Sequence, residues 1–176
     1  ADTIGRYVKE LDKLAADQRQ EVQEANRRSR ERVDVLAADS RLRYVPKAVA
    51  PEVPHFNLAP LHNAVARLDR AAREYDRVSR PGTLDAARRA ALDAVLLRAE
   101  RAFTRPEGLP RRPWYKHHVY APGWYTGYGV KTIPAVREAI EQKAFADVEP
   151  AVRAAAEAVE AYAAEVERAA ALFSGP

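Results

Sequence analysis

Apolar residues recur at steps of three and four over most of the chain, the period of helices that bury one face. Between residues 4 and 44, Ile4, Val8, Leu11, Ala15, Val22, Ala25, Val33 and Leu36 keep such steps without an intervening proline, which predicts one long helix or two joined ones. The stretch Arg27-Arg28-Ser29-Arg30-Glu31-Arg32 has no apolar stripe and is expected to project past the core. The prolines at 46, 51, 54 and 60 each remove a backbone donor and restrict the preceding residue, so the chain from Tyr44 to Pro60 reads as an extended connector.

From Leu58 the pattern becomes regular. Leu61, Val65, Leu68, Ala72 and Tyr75 lay a seam along a helix ending near Ser79. Pro81-Gly82-Thr83 breaks it, with Thr83 the expected N-cap of a helix over about 84–104 that carries Leu84, Ala91, Leu92, Val95, Ala99 and Phe103 and stops before Pro106. A short helix over about 134–145 precedes the most regular segment. There Val148, Val152, Ala155, Val159, Tyr162, Val166, Ala169 and Phe173 alternate without a miss, behind Asp147 as N-cap and Pro150 in the first turn. Two antiparallel middle helices joined by a tight turn, flanked by a long first and a long last helix, predict an all-α fold. The expected architecture is a four-helix bundle with one additional short helix, as a single domain over residues 1–176.

Length and composition agree with this pattern. At 176 residues and 47% hydrophobic, the chain has enough apolar surface for one core, and alanine is its commonest residue. What does not fit a plain bundle is the long, Gly-containing aromatic loop over 105–133. It holds both tryptophans together with Tyr115, Tyr120, Tyr125, Tyr128 and the adjacent His117 and His118. Loops of that length in a compact helical domain are uncommon and tend to be functional. Gly123, Gly127 and Gly129 give access to positive φ, so a tight loop can hold Tyr125 and Tyr128 outward; the competing reading is that these aromatics plug one end of the bundle.

The absence of cysteine removes disulfides, thiolate chemistry and Cys-based zinc sites together. His117 and His118, neighbours in extended chain, point to opposite faces and make poor chelators; one packed, hydrogen-bonded ring and one exposed ring are expected. No HExxH, GxSxG or P-loop pattern occurs, and Gly127-Tyr128-Gly129 lacks the strand and helix that would aim amides at a phosphate. A net charge of +4 and a pI near 9.4 are only mildly basic. The cations of the loop, Arg105, Arg111, Arg112, Lys116 and Lys131, can pair with the acidic last helix, receive an acidic ligand, or flank nucleic acid stacked on the aromatics. Interleaved acids elsewhere argue against nucleic acid. No apolar run is long enough to span a bilayer, and there is no basic start followed by an apolar core. A chain without Met that begins at Ala1 reads as an excised piece or as one trimmed of its initiator.

The order of residues goes further than the pattern. Glu100-Arg101-Ala102-Phe103, Gly108-Leu109-Pro110, Arg112-Pro113-Trp114-Tyr115-Lys116-His117 and Tyr120-Ala121-Pro122 resemble the C-terminal helical domain of the glutamate carboxypeptidase II and transferrin receptor family. The match continues through Tyr128 to Pro134 and more loosely over the final helix. The resemblance implies a transferrin receptor-like dimerisation domain, which supplies a homodimer contact and lends its aromatic loop to the substrate pocket of a protease-like domain in the same protein. In peptidase members that catalytic domain holds two zinc ions and uses a Glu as general base. None of those motifs is in this sequence, so the resemblance implies a non-catalytic domain with no cofactor of its own, inside a zinc exopeptidase of carboxypeptidase or aminopeptidase type acting on peptides. By the same resemblance Tyr128 falls where a tyrosine hydrogen-bonds the carboxylate of the substrate's C-terminal residue. Gly127 stands where the glutamate-selective member has lysine, Lys131 is the candidate replacement cation, and Tyr125 shares the wall. A receptor-like parent without activity and a small nucleic-acid-binding bundle are the alternative readings. Direct membrane contact by this domain is not expected, although relatives are often exported or anchored through their N-terminus. The preference for arginine over lysine and the Gly-rich loop fit a bacterial source.

Overall fold

A computed structural model describes residues 1–33, 35, 41, 45, 47–80 and 82–173. Its elements run α1 (Asp2–Glu31), α2 (Ala59–Ser79), α3 (Ala86–Ala99), a 3₁₀ turn at Glu100–Phe103, β1 (Tyr120–Pro122), β2 (Val130–Thr132), α4 (Pro134–Glu141), a 3₁₀ turn at Phe145–Asp147 and α5 (Val148–Ala171). The fold is the expected four-helix bundle with the short α4 added. The difference lies in the aromatic loop, which contains a two-stranded antiparallel ladder.

α5 is the axis of the bundle. Besides Val148, Val152 and Val159 it buries Ala151, Ala155, Ala156, Ala158, Ala163, Ala169 and Ala170, a set wider than one helical stripe. Side chains that end at Cβ let neighbours approach from several directions, so α2, α3 and α4 all pack on α5. The closest pairing is α2 with α5, and α3 leans on α5 rather than on α2. The expected α2–α3 pair is therefore not the middle of the bundle. The reason is local: α3 buries only Leu92 and Ala99, because its apolar residues do not gather on one face and cannot serve two neighbours. On α2 the buried line is Leu61, Ala64, Leu68 and Ala71, one step round from the Val65–Ala72 side of the expected seam.

α1 is one helix and stops at Glu31, short of the expected span. Arg32 turns left-handed at φ 53 and sends its N–H back to the carbonyls of Arg28 and Ser29. The apolar repeat has already lapsed, since the inward position after Val22 is taken by Asn26 while Ala25 is exposed. The Asn26 amide pairs with the main chain of Ala50 in both directions, Nδ2 donating to the carbonyl at 2.8 Å and Oδ1 accepting the N–H at 2.8 Å. That pair pins the connector to the helix, and Val53 and Leu58 anchor it in the core. Pro60 belongs to the first turn of α2 rather than to the connector. Leu36, Tyr44, Pro46 and Pro81 lie outside the described residues. The N-cap of α3 is Asp85, not Thr83: its carboxylate accepts the N–H of Arg88 at 2.8 Å. Asp147 does precede α5 but makes no capping bond; its carboxylate lies 3.7 Å from Arg111.

Candidate functional site

The long loop is built in two tiers. In the first, the chain from Thr104 to His118 folds back on itself through Arg105 N–H to Lys116 O at 3.0 Å, Leu109 N–H to Tyr115 O at 2.8 Å and His118 N–H to Phe103 O at 2.9 Å. Gly108 is required there. Its φ is +67, and a Cβ would meet the Pro113 carbonyl oxygen at 2.3 Å. Leu109 and Phe103 go into the core, and Phe103 stacks on Tyr162 of α5 with ring centroids 4.3 Å apart.

Arg112 ends this tier and fixes the next. It is 2% exposed. One terminal nitrogen donates to the Pro122 carbonyl at 2.5 Å and the other to Glu138 Oε2 at 2.7 Å, while the guanidinium carbon lies 5.7 Å from the centre of the Tyr115 ring. The second carboxylate oxygen of Glu138 accepts the Trp124 N–H at 2.7 Å. A single ion pair thus ties the folded-back segment, the end of β1 and the first turn of the hairpin tip to the middle of α4. Removing one member of a buried pair of this kind usually costs about 3–5 kcal/mol. In the sequence Arg112 stands among the loop cations and in the motif that carries the resemblance, with no structural role assigned to it. The signal that marks it is Glu138, a carboxylate set among the buried Ala135, Val136, Ala139 and Ile140 of α4.

The second tier is the hairpin. β1 and β2 pair Tyr120 with Thr132, Ala121 with Lys131 and Pro122 with Val130. The tip closes through Gly123 N–H to Gly129 O at 2.9 Å and Gly127 N–H to Gly123 O at 3.1 Å. Only Gly127 of the three expected glycines uses positive φ, at +61. Gly123 serves close approach instead, since a Cβ there would lie 2.3 Å from Thr126 Oγ1. Tyr128 is 102% exposed and Tyr125 78% exposed, so neither plugs the bundle, and the outward reading holds for both. Tyr125, Gly127 and Tyr128 share the tip. Lys131 does not join them as a free cation: its Nζ lies 2.9 Å from both oxygens of Glu141 at the end of α4. The hairpin returns to the core through Ile133, buried and left-handed at φ 46, whose N–H donates to Val119 O at 2.7 Å. A β-branched residue in that region is strained by about 1–2 kcal/mol, and the packing around it holds the turn.

The charge of the loop is answered from within. Arg105 contacts Glu107 at 2.7 Å and Glu157 of α5 at 2.5 Å, and Arg111 contacts Gln142 at 2.7 Å and Asp147 at 3.7 Å. The Arg105 guanidinium holds the Glu107 carboxyl below the usual carboxylate range. Both arginines are thus engaged by acceptors of this chain. Neither histidine is exposed, against expectation. His117 is half-buried between Tyr120, 4.0 Å between ring centroids, and Phe103, 5.4 Å; its Nδ1 accepts the N–H groups of Val119 at 3.3 Å and Tyr120 at 3.2 Å. His118 is 3% exposed, and neither ring nitrogen has a partner among the described residues. Burial pushes both imidazoles below 6.5, and the Arg105 charge adds to the effect on His118. The Tyr120 hydroxyl donates to Glu100, which raises the phenol above its usual value. Among the described residues no three His, Asp or Glu side chains converge as metal ligands.

Known proteins share this segment. The family model described as the transferrin receptor-like dimerisation domain matches residues 56–167, from just before α2 almost to the end of α5. Over 50 residues the chain is 50% identical to a protein of Arabidopsis thaliana named a "Probable glutamate carboxypeptidase", a stretch that covers 28% of this chain and 7% of that protein. Over 79 residues it is 35% identical to a "Probable glutamate carboxypeptidase" of Arthroderma benhamiae, covering 45% of this chain and 10% of the relative. The matched stretches thus span a tenth or less of these curated relatives.

The buried imidazoles make a measurable prediction. Their folded-state pKa values lie below 6.5, so as pH falls the unfolded chain takes up protons first; the stability contribution is complete above about 6.5 and is lost as pH drops toward the folded values. Urea denaturation at pH 7 and pH 5 is expected to show lower stability at pH 5, with the difference narrowed in His118→Leu. An unchanged difference in that variant would mean that the His118 ring is solvated.

Proposed function

The chain belongs to the transferrin receptor-like dimerisation domain family, and we propose that it works within a longer zinc-dependent exopeptidase as both a homodimer contact and one wall of the substrate pocket. The observation that carries the pocket role is the pair of exposed tyrosines on a hairpin whose base is fixed by the buried Arg112–Glu138 pair. A phenol offers one directed donor. Tyr128 would place that donor against the carboxylate of a peptide's C-terminal residue, with Tyr125 and Gly127 shaping the wall beside it. The names of the two relatives support a carboxypeptidase parent. Zinc and the general base would be held by the protease-like domain of the same protein, because the described residues of this chain offer no converging ligand set. The role of the hairpin is therefore to bind and orient. A group fixed before substrate arrives loses little freedom on binding, which is what the ion pair beneath the tip provides.

The dimer role is carried by α3. Among the described residues it packs on α5 and on the 3₁₀ turn that follows it, and Leu97 is 81% exposed with Leu96 exposed beside it. Ala90 and Ala94 lie on the same face at helical spacing and are also exposed. Two such faces fit a twofold contact in which small residues let the helices approach closely and Leu97 packs across the axis.

In the full-length parent, Tyr128→Phe is expected to lower kcat/KM by about 2- to 100-fold, the range for losing one hydrogen bond to a charged oxygen. Within the isolated chain both Tyr128→Phe and Tyr128→Ala should change stability by less than about 0.5 kcal/mol, as for other exposed sites. An unchanged kcat/KM across several peptides would mean that Tyr128 does not meet substrate, as in a receptor-like parent. For the dimer, Leu97→Glu should convert the parent to monomer in sedimentation at low micromolar concentration; a dimer unaffected by the change would put the interface elsewhere.

A further inference from the structure

The tip runs Gly123-Trp124-Tyr125-Thr126-Gly127-Tyr128-Gly129-Val130, with no charged side chain. The exposed groups it presents are Trp124, Tyr125, Tyr128 and Val130. Every cation of the surrounding loop is already engaged. Arg105 and Arg111 face Glu157 and Asp147 of the bundle, and Arg112 is buried on Glu138 and the Pro122 carbonyl. Lys116 donates to the Pro106 carbonyl, and Lys131 is held by both oxygens of Glu141. Arg137 at the foot of the hairpin donates to Thr132 and to Glu10. Apart from its two chain neighbours, no described residue comes within 4 Å of the position a Gly127 Cβ would take, so the space directly over Gly127 is open.

We infer that this wall receives a substrate whose C-terminal residue has an uncharged, apolar or aromatic side chain rather than an acidic one. The inference rests on the pocket-wall reading above. With the Tyr128 phenol given to the main-chain carboxylate, Tyr125, Trp124 and Val130 are left to meet the side chain. An aromatic or aliphatic group gains burial and ring contact there. A second carboxylate would leave water against a tip whose surrounding loop cations, all among the described residues, are already engaged, and an unpaired charge is costly to desolvate. Recruiting Lys131 would mean breaking its contact with Glu141.

The test uses the full-length parent and three peptides, N-acetyl-Ala-Phe, N-acetyl-Ala-Leu and N-acetyl-Ala-Glu. The expected kcat/KM for the first two is about tenfold or more above that for the third, a ratio set by leaving a polar group unpaired. Tyr128→Phe should lower all three alike, because it acts on the shared carboxylate. Tyr125→Ala should instead shrink the ratio about threefold or more while affecting the glutamate peptide least, the signature of lost apolar contact. Glutamate released as fast as phenylalanine, with Tyr128→Phe still lowering all three, would overturn this inference and leave the pocket-wall reading standing. A ratio unmoved by Tyr125→Ala would also overturn it, since the preference would then arise outside this chain. No response of any peptide to either variant, or no hydrolysis of any, would overturn the pocket-wall reading and this inference with it.

Discussion

A guanidinium with almost no access to water has to be met by acceptors, and where those acceptors sit decides where the surrounding chain can go. Arg112 meets its requirement with the Pro122 carbonyl and one oxygen of Glu138, and Glu138 uses its other oxygen on the Trp124 N–H. Burying such a pair is a weak source of net stability, because desolvating both charges offsets most of their attraction. Its effect is on position. With these bonds made, the hairpin has one place to stand over α4, and a shifted placement would leave a buried charge unanswered. Arg112 Nε has no partner among the described residues, which makes the other two bonds of the group harder to give up.

The bundle beneath supplies the platform. α4 is held by α5, and α5 can hold it, together with α2 and α3, because its buried surface is mostly alanine and valine. α3, whose own apolar residues do not gather on one face, buries only Leu92 and Ala99 and leaves Leu96 and Leu97 exposed. Platform, ion pair and hairpin form one chain of causes: small residues fix α4, Glu138 on α4 fixes Arg112 and Trp124, and these fix the tip that carries Tyr125 and Tyr128.

Much of the helical part is legible in the spacing of apolar residues. The extents of α2 and α5 agree with their three-and-four pattern, although α2 turns its Leu61, Ala64, Leu68 and Ala71 line inward rather than the full expected seam. The spacing does not say which helices pair, because alanine is compatible with burial and exposure alike: Ala64 is in the core and Ala25 in water. The end of α1 was hidden by an inward polar residue, Asn26, whose partner Ala50 lies beyond the helix and leaves no periodic trace. The aromatic loop was recognisable as unusual, and the order of its residues pointed to the family. Its ladder was not legible, since three residues per strand are too few to show alternation. Nor was the role of Arg112, because one arginine among several looks the same in a sequence whether it faces solvent or closes a buried pair. The histidines illustrate the same limit, as alternation along extended chain does not foresee that both sides of residues 117–118 are covered.

The most direct test is amide hydrogen exchange of the isolated chain and of Arg112→Met, which keeps the volume of the side chain and removes its charge. In the native chain the amides of Gly123 and Trp124 should exchange slowly, because one bonds to Gly129 O and the other to the Glu138 carboxylate. In Arg112→Met these two should speed up by about tenfold or more while the amides of α5 keep their protection, the mark of a local opening rather than a global one. Gly123 and Trp124 amides that exchange freely in the native chain would contradict the account. So would full protection in Arg112→Met, which would show that the hairpin holds its place without the buried pair.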